Sequence, residues 1–329
     1  MSGGEGGAAA LRVPPRPDAA TLERLVDTVE TVFHGKREVV RLALAALLAR
    51  GHILFEDIPG VGKTTLARAL SAALGLGFRR VQFTSDLLPS DILGVSLFNP
   101  RTGAFETRRG PVFTQILVAD EINRAPPRTQ SGLLEAMQEG SVTIDDATHA
   151  LPRPFLVMAT QNPLEHHGTY PLPESQLDRF LLRLTIGYPD EAAERRILTE
   201  SVGMDEGVSR LEPVLGPDAV LALQAEVERV HAAPAVVDYL MALTRATREH
   251  PDLAMGASPR GAVGLFRAAR AMALLDGRDY LLPDDVRWVA VPCLAHRILP
   301  AGAGAATAEA HELAADAVRE ILERLPVPV

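Results

Sequence analysis

The spacing of apolar residues changes character part-way along this 329-residue chain. Before Pro189, short continuous apolar runs alternate with segments in which apolar residues recur at helical spacing. The apolar runs at 52–55, 115–119 and 155–159 predict buried strands, and the run at 115–119 is typical of a strand inside a parallel sheet. Residues 78–83 are predicted as a further strand. After Pro189, helical spacing covers 190–202, 218–231, 234–250, 260–275, 283–298 and 306–325. The pattern therefore predicts an α/β domain followed by an all-α domain.

Breaks in the pattern refine this outline. Residues 18–50 read as two helices separated by a turn at His34 and Gly35, and further helices are predicted at 64–74 and 128–139. Turn-forming residues predict two hairpins, one pairing 92–98 with 104–108 and one within 141–153. The Gly-, Ala- and Pro-rich residues 1–17 are expected to be a disordered tail. The predicted division is therefore 1–17, 18–189 and 190–329.

Composition narrows the class of protein. Hydrophobic residues make up 47% of the chain and charged residues 23%, which is ordinary for a soluble globular protein. The net charge of −9 argues against broad attraction to nucleic acid or anionic membranes. Cys293 is the single cysteine, and no apolar stretch approaches the length of a membrane span. With no signal peptide at the start, a cytoplasmic location without membrane insertion is expected.

One of the only two lysines among 33 basic residues lies in a candidate phosphate-binding loop. The loop follows a predicted strand and precedes a predicted helix, so its backbone N–H groups can meet an anion. Its residues are Asp57, Ile58, Pro59, Gly60, Val61, Gly62, Lys63, Thr64 and Thr65. The generic pattern requires glycine at position 57, where this chain has Asp57. The alternative interpretation is a plain turn followed by a helix.

Two acidic residues directly follow the predicted strand that ends at position 119. Ligands of open parallel sheets bind beyond the carboxyl ends of the strands, so Asp120 and Glu121 should face the same edge as the loop. Asp120 can then hold Mg²⁺ with the Thr64 hydroxyl, while Glu121 polarises an attacking water. The alternative is that both acids simply solvate the end of a strand.

Three further polar residues are candidates on weaker grounds. Asn162 closes the next strand and could orient water near a γ-phosphate, although an Asn before Pro also commonly begins a turn. Arg179 and Arg260 lie at predicted element boundaries, where the alternative is an ordinary surface arginine. The nine histidines show no spacing typical of a metal site.

Several long segments, in order, resemble the MoxR family of AAA+ ATPases. They are 56–65 (EDIPGVGKTT), 119–127 (ADEINRAPP), 135–139 (EAMQE), 159–163 (ATQNP) and 168–174 (GTYPLPE) continuing to Arg179 and Phe180. The resemblance spans about residues 20–300. It implies an α/β P-loop core with a central parallel sheet, followed by a smaller all-α lid, and it makes Asp57 usual for the family.

The resemblance also implies roles for single residues. Asn162 would be the first sensor, Arg179 the finger that reaches a neighbouring subunit's site, and Arg260 the second sensor, contributed by the lid. Lys36 stands where relatives carry a glutamine near the adenine, so adenine contacts at this position remain open. The segments 92–108 and 141–153 correspond to the family's helix insert and to the hairpin before the first sensor.

The implied function is ATP hydrolysis with Mg²⁺ in a ring, expected to be a hexamer. The family's activity suggests a chaperone that remodels or activates partner proteins, including a von Willebrand factor A-domain protein. Two alternatives stay open at this point. One is a motor acting on nucleic acid, which the net charge and the scarcity of aromatic residues disfavour. The other is a nucleotide-gated scaffold with little turnover, which has no need of Glu121 or Arg179.

Overall fold

A computed structural model describes residues 17–162, 168–200, 204–302 and 308–328. Nearly all of the predicted tail lies outside these ranges, as do 201–202 and 306–307 at the ends of two predicted helices. The strands are β1 Ile53–Glu56, β2 Phe78–Gln82, β3 Gly94–Asn99, β4 Ala104–Arg109, β5 Ile116–Asp120, β6 Ser141–Ile144, β7 Ala147–Ala150, β8 Leu156–Gln161, β9 Leu182–Leu184, β10 Leu253–Met255 and β11 Leu299–Pro300.

Several helices begin at a residue that favours a helix start. They are α1 Ala19–Glu30, α2 Arg37–Leu48, α3 Lys63–Ala73, α4 Pro89–Leu93, α5 Pro127–Glu139, α6 Glu174–Leu177, α7 Glu191–Glu200, α8 Met204–Ser209, α9 Pro217–Arg229, α10 Pro234–Glu249, α11 Pro259–Leu275, α12 Pro283–Leu294 and α13 Ala308–Arg324. Helices α9 to α12 each start with proline, whose fixed φ suits the first helical position and whose missing N–H is not needed there.

A five-stranded parallel sheet, in the order β2-β5-β8-β1-β9, forms the centre of the α/β part. The four predicted strands are confirmed, and the sheet is the predicted central parallel sheet. Strand β9 at one edge was not predicted. It has only three residues, and Arg183 at its centre interrupts the apolar run.

Both predicted hairpins are confirmed. Strand β3 pairs antiparallel with β4, and β6 pairs antiparallel with β7. The part after the sheet is mainly helical, as predicted, but it is not purely so, because β10 and β11 form a short antiparallel pair. These strands have two or three residues each, which is too short to produce a readable period. The sheet ends at Leu184 and α7 starts at Glu191, so the predicted boundary near Pro189 falls between them.

The two faces of the sheet belong to different apolar clusters, because successive strand residues point to opposite faces. One face packs with α1 to α3 and with the C-terminal helices α9 to α13, through residues that include Ile53, Phe55, Ile116, Val118 and Met158. The other packs with α5 and the β6–β7 hairpin, through residues that include Leu54, Leu117, Ala119, Val157 and Ala159. Helices on both faces leave the carboxyl ends of the strands open as a site.

Within the ranges given above, none of the helices combines the length and the apolar character that crossing a bilayer requires.

Candidate functional site

A cleft of about 330 Å³ lies beyond the carboxyl ends of the central strands. It is lined by Asp57, Pro59, Gly60, Gly62, Lys63, Thr64, Thr65, Arg80, Gln82, Asp120, Glu121, Thr160, Gln161 and Asn162. The loop after β1, the two acids after β5 and the amide after β8 therefore meet, as the order of the strands in the sheet requires. The structure brings Lys63, Thr64, Asp120, Glu121 and Asn162 into one site.

Left-handed backbone at two glycines shapes the loop. Gly60 has φ +86° and Gly62 has φ +94°, values that residues with a Cβ rarely adopt. A Cβ added to Gly62 would also lie 3.1 Å from Cε2 of Phe33. Helix α3 starts at the next residue, so its first N–H groups border the cleft. This is the local geometry of an anion-binding helix N-terminus.

The Lys63 ammonium is held by its own loop. Its Nζ donates hydrogen bonds to the carbonyl oxygens of Asp57, at 2.8 Å, and Ile58, at 3.0 Å. Burial lowers the pKa of Lys63, and the nearby carboxylates of Asp57, Asp120 and Glu121 oppose that shift. Lys63 thus lines the same cleft as both acids, close enough for their charges to act on its ammonium.

Asp57 has a structural task that explains the departure from the generic loop pattern. One of its carboxylate oxygens accepts the N–H of Ile58 at 2.8 Å. The other accepts the N–H groups of Ile186, at 2.6 Å, and Gly187, at 2.8 Å. The carboxylate therefore fastens the loop to the segment that follows β9. A glycine at position 57 could not make these bonds.

Asp120 is fixed by two partners. Its Oδ1 accepts the hydroxyl of Thr160 at 3.0 Å, and its Oδ2 accepts Nε of Arg80 at 2.6 Å. The Thr160 hydroxyl oxygen in turn accepts the backbone N–H of Glu121 at 2.9 Å, where the chain turns with φ +55°. Thr160 on β8 thus braces the turn that carries both acids.

The Glu121 carboxylate also has partners within the cleft. Its Oε2 accepts Nε2 of Gln82 at 2.6 Å and lies 3.1 Å from Nε of Arg124. Sequence reasoning missed Arg80, Gln82, Arg124 and Thr160. A usable signal existed for two of them, because alternate residues of a strand share a face. Gln82 on β2 lies opposite Asp120 in the sheet register, so Arg80 and Gln82 belong beside the acids.

The oxygen donors in the cleft fit Mg²⁺ bound together with phosphate. Magnesium typically takes one or two carboxylates and completes its shell with water and substrate phosphates. The Asp120 carboxylate and Thr64 line the same cleft as the loop. Over the described part of the chain, no group of three or more His, Cys, Asp or Glu residues is placed to hold a metal by itself. The donor set therefore suits a metal that arrives with a nucleotide.

Arg179 and Arg260 line a second cavity, of about 430 Å³, at the other edge of the sheet. Arg179 precedes β9 and His52, in the same cavity wall, precedes β1, so this is the amino edge of the strands. Among the described residues, Arg179 Nε has no hydrogen-bond partner. The structure does not bring Arg179 or Arg260 into the cleft of Lys63 in the same chain.

Lys36 contacts backbone. Its Nζ donates a hydrogen bond to the carbonyl oxygen of Tyr188 at 2.7 Å. This bond joins the start of α2 to the segment between β9 and α7, near the residues that Asp57 holds. Lys36 and Asp57 therefore both hold the segment between β9 and α7, which leads from the sheet to the C-terminal part.

Comparison with known proteins agrees with the fold. Residues 52–182 match the ATPase family associated with various cellular activities (AAA), and residues 245–321 match the AAA lid domain. The parallel sheet, the phosphate loop and the helical C-terminal part together define an AAA+ ATPase. A provisionally assigned ATPase from Cytophaga hutchinsonii, known from its crystal structure, superposes with TM-score 0.85 at 36% identity, over 94% of this chain and 96% of that one.

Two relatives are similar to this chain over most of its length, and the name of one of them gives the family. Chaperone MoxR1 of Mycobacterium tuberculosis is 41% identical over 312 residues, which are 90% of this chain and 82% of the relative. The uncharacterized protein YeaC of Bacillus subtilis is 48% identical over 309 residues, which are 94% of this chain and 95% of the relative. The chain belongs to the MoxR family of AAA+ ATPases.

Proposed function

We propose that this protein hydrolyses ATP in a ring of identical subunits and uses the cycle to remodel or activate partner proteins. One observation carries the proposal. The candidate phosphate, metal and water groups meet at the carboxyl edge of the sheet, while Arg179 and Arg260 lie at the amino edge. A complete site then requires two subunits.

The carboxyl edge supplies the binding half of the site. Lys63 leaves its two loop carbonyls to meet the β- and γ-phosphates, and the N–H groups at the start of α3 bind the same anion. Thr64 and Asp120 hold Mg²⁺, which when bound offsets charge on the phosphates. The residues 57–65 surround the phosphates, with Asp57 holding the loop in shape.

Two residues handle the attacking water. Glu121 takes the role of the base that polarises this water, while Gln82 and Arg124 contact Oε2 of its carboxylate. Asn162, at the end of the neighbouring strand, orients the water towards the γ-phosphate. Thr160 keeps the Glu121 backbone in place, so the carboxylate can move while its Cα does not.

The amino edge supplies charge to the next subunit. An Arg179 guanidinium placed against a neighbour's γ-phosphate would stabilise charge that develops during transfer. Arg260 lines the same cavity, so we place it in that neighbour's site as well. Contacts between unlike edges are heterologous, and they close into a ring when the rotation allows. A ring of six is proposed.

The partner class follows from the family. A relative that shares 41% of its residues is named a chaperone, and we extend that activity to this chain. The client is proposed to be a protein, with a von Willebrand factor A-domain protein as the specific candidate.

Replacing Arg179 by Ala tests the shared site. We expect turnover to fall by about 10³-fold or more, as it does when a finger supplied by a neighbour is lost. Binding of a fluorescent ATP analogue should stay unchanged, because the carboxyl-edge cleft is intact. Arg245→Ala, on an exposed position of α10, is the matched control and should retain full turnover. Wild-type turnover in the Arg179 variant would refute the finger assignment.

A further inference from the structure

Arg80 occupies a position that neither the sequence motifs nor the proposed mechanism uses. It lies on the edge strand β2 and its side chain reaches into the cleft. Its Nε donates to Asp120 Oδ2 at 2.6 Å. A second contact, from Nη2 to Oε1 of Gln82, is long at 3.4 Å.

Both oxygens of Asp120 are already engaged by side chains. Oδ1 accepts the Thr160 hydroxyl at 3.0 Å, and that hydroxyl also braces the Glu121 backbone. Within the described part of the chain, the one side chain that donates to Oδ2 is Arg80. A metal ion that binds the Asp120 carboxylate would therefore most simply bind Oδ2, in place of the Arg80 guanidinium. Two cationic groups then compete for one carboxylate oxygen.

The burial of the two partners indicates which one moves. The Arg80 side chain is 52% exposed, whereas the Asp120 side chain is 11% exposed. Arg80 can swing into solvent without leaving a buried charge, but Asp120 cannot leave its place beside Thr160. Contacts of this kind, with one partner half in water, are individually weak. Displacement by a divalent ion is therefore feasible.

We propose that Arg80 is a positioning residue that competes with Mg²⁺ for Oδ2 of Asp120. It neutralises the acid while no metal is bound there and is displaced when the metal arrives with the nucleotide. Arg80 thereby weakens the thermodynamic coupling between metal and nucleotide binding. The inference rests on the proposed assignment of Asp120 as the metal ligand.

The test measures that coupling directly by binding. A fluorescent non-hydrolysable ATP analogue is titrated in EDTA and in excess Mg²⁺. The dissociation constant in EDTA divided by that in Mg²⁺ gives the coupling. Arg80→Gln should raise the ratio by about two- to fivefold, the size of one partly exposed ion pair. Arg79→Gln changes the same charge on the adjacent, exposed residue of β2 and should leave the ratio unchanged.

Other outcomes distinguish an error about Arg80 from an error about the metal ligand Asp120. An unchanged or lower ratio for Arg80→Gln would overturn the inference, and equal weakening in both conditions would indicate that Arg80 binds phosphate instead. Asp120→Asn should reduce the ratio strongly. If Asp120→Asn keeps the wild-type ratio, the proposed metal ligand itself is wrong. Equal thermal midpoints of the variants would exclude unfolding as the cause.

Discussion

Two buried polar side chains, one near each end of the sheet strands, are fixed by backbone groups. Asp57 accepts three backbone N–H groups at the carboxyl edge. His52 at the amino edge uses both ring nitrogens. Its Nε2 donates to the Met137 carbonyl at 3.0 Å, and its Nδ1 accepts the N–H of Val157 at 3.0 Å. That pairing requires a neutral ring, because a protonated imidazole has no acceptor.

The His52 ring should make the protein sensitive to mild acid. Burial lowers the pKa of His52 to about 4, with the bond to Met137 partly opposing the shift. An unfolded histidine titrates near 6.5, so the unfolded state binds the proton first. The stability contributed by the neutral His52 ring is therefore fully present well above pH 6.5, and about 3 kcal/mol of it is lost as the pH falls through 6.5 to 4.

Urea unfolding between pH 4.5 and 7.5, at ~0.5-unit steps, measures this loss. His52→Gln keeps one donor and one acceptor but does not titrate, so its stability should depend less steeply on pH. His296, also fully buried with a lowered pKa, remains in the variant and leaves a residual slope. His231→Gln, at an exposed position, is the control. Identical slopes for His52→Gln and the wild type would contradict the assignment.

Single residues differ in how far the sequence could predict them. Lys63, Asp120 and Glu121 follow strands that have a clear apolar pattern, so their meeting at one edge was predictable. The task of Asp57 was not, because its partners Ile186 and Gly187 lie 129 and 130 residues away along the chain. Arg80 was not singled out because the chain has many arginines and only the sheet register places this one beside Asp120.

At the scale of elements, the last helix, α13, contacts the end of β1, directly before the phosphate loop. Glu56 ends β1 and is buried, and Nδ1 of His311 on α13 lies 2.9 Å from its Oε2. Arg183 on β9 donates to the same carboxylate oxygen. Burial alone would raise the pKa of Glu56, but the contacts with His311 and Arg183 outweigh it and lower the pKa. The Glu56 carboxylate on β1 thus contacts side chains from both β9 and α13.

Replacing His311 by Ala should loosen this junction. Glu56 would stay buried with one partner fewer, which typically costs about 1–3 kcal/mol. Chemical unfolding of the variant at neutral pH is the measurement, and His231→Ala, with an exposed side chain, should change stability by less than about 0.5 kcal/mol. Should His311→Ala unfold at the same urea concentration as the wild type, α13 is not held through Glu56.

Elements were predictable in proportion to their length and regularity. The long helices have a readable period, three of the four predicted strands are apolar runs, and the hairpins have turn-forming residues at their tips. Strands β9, β10 and β11 have three residues or fewer, and tertiary pairing alone defines them. The helical starts at Pro217, Pro234, Pro259 and Pro283 were marked by proline.

At the scale of the whole molecule, the direction of the parallel strands separates the two halves of the proposed site. The sequence indicated the arginines as candidates, and the family resemblance placed Arg260 in the lid. Neither the sequence nor the resemblance placed Arg179 and Arg260 at the edge of the sheet opposite to Lys63. The two edges are separated by at least the length of β1, which is about 13 Å. The proposed assembly follows from this polarity, since neither edge is complete by itself.

Mixing two inactive variants tests this central claim most directly. Lys63→Ala removes nucleotide binding but keeps Arg179, and Arg179→Ala keeps the cleft but removes the finger. Each variant alone should lack ATPase activity. An equal mixture should recover up to roughly a quarter of wild-type turnover, because some random junctions pair an intact cleft with an intact arginine. Mixed assemblies, verified by differential tags, that remain as inactive as the separate variants would contradict it.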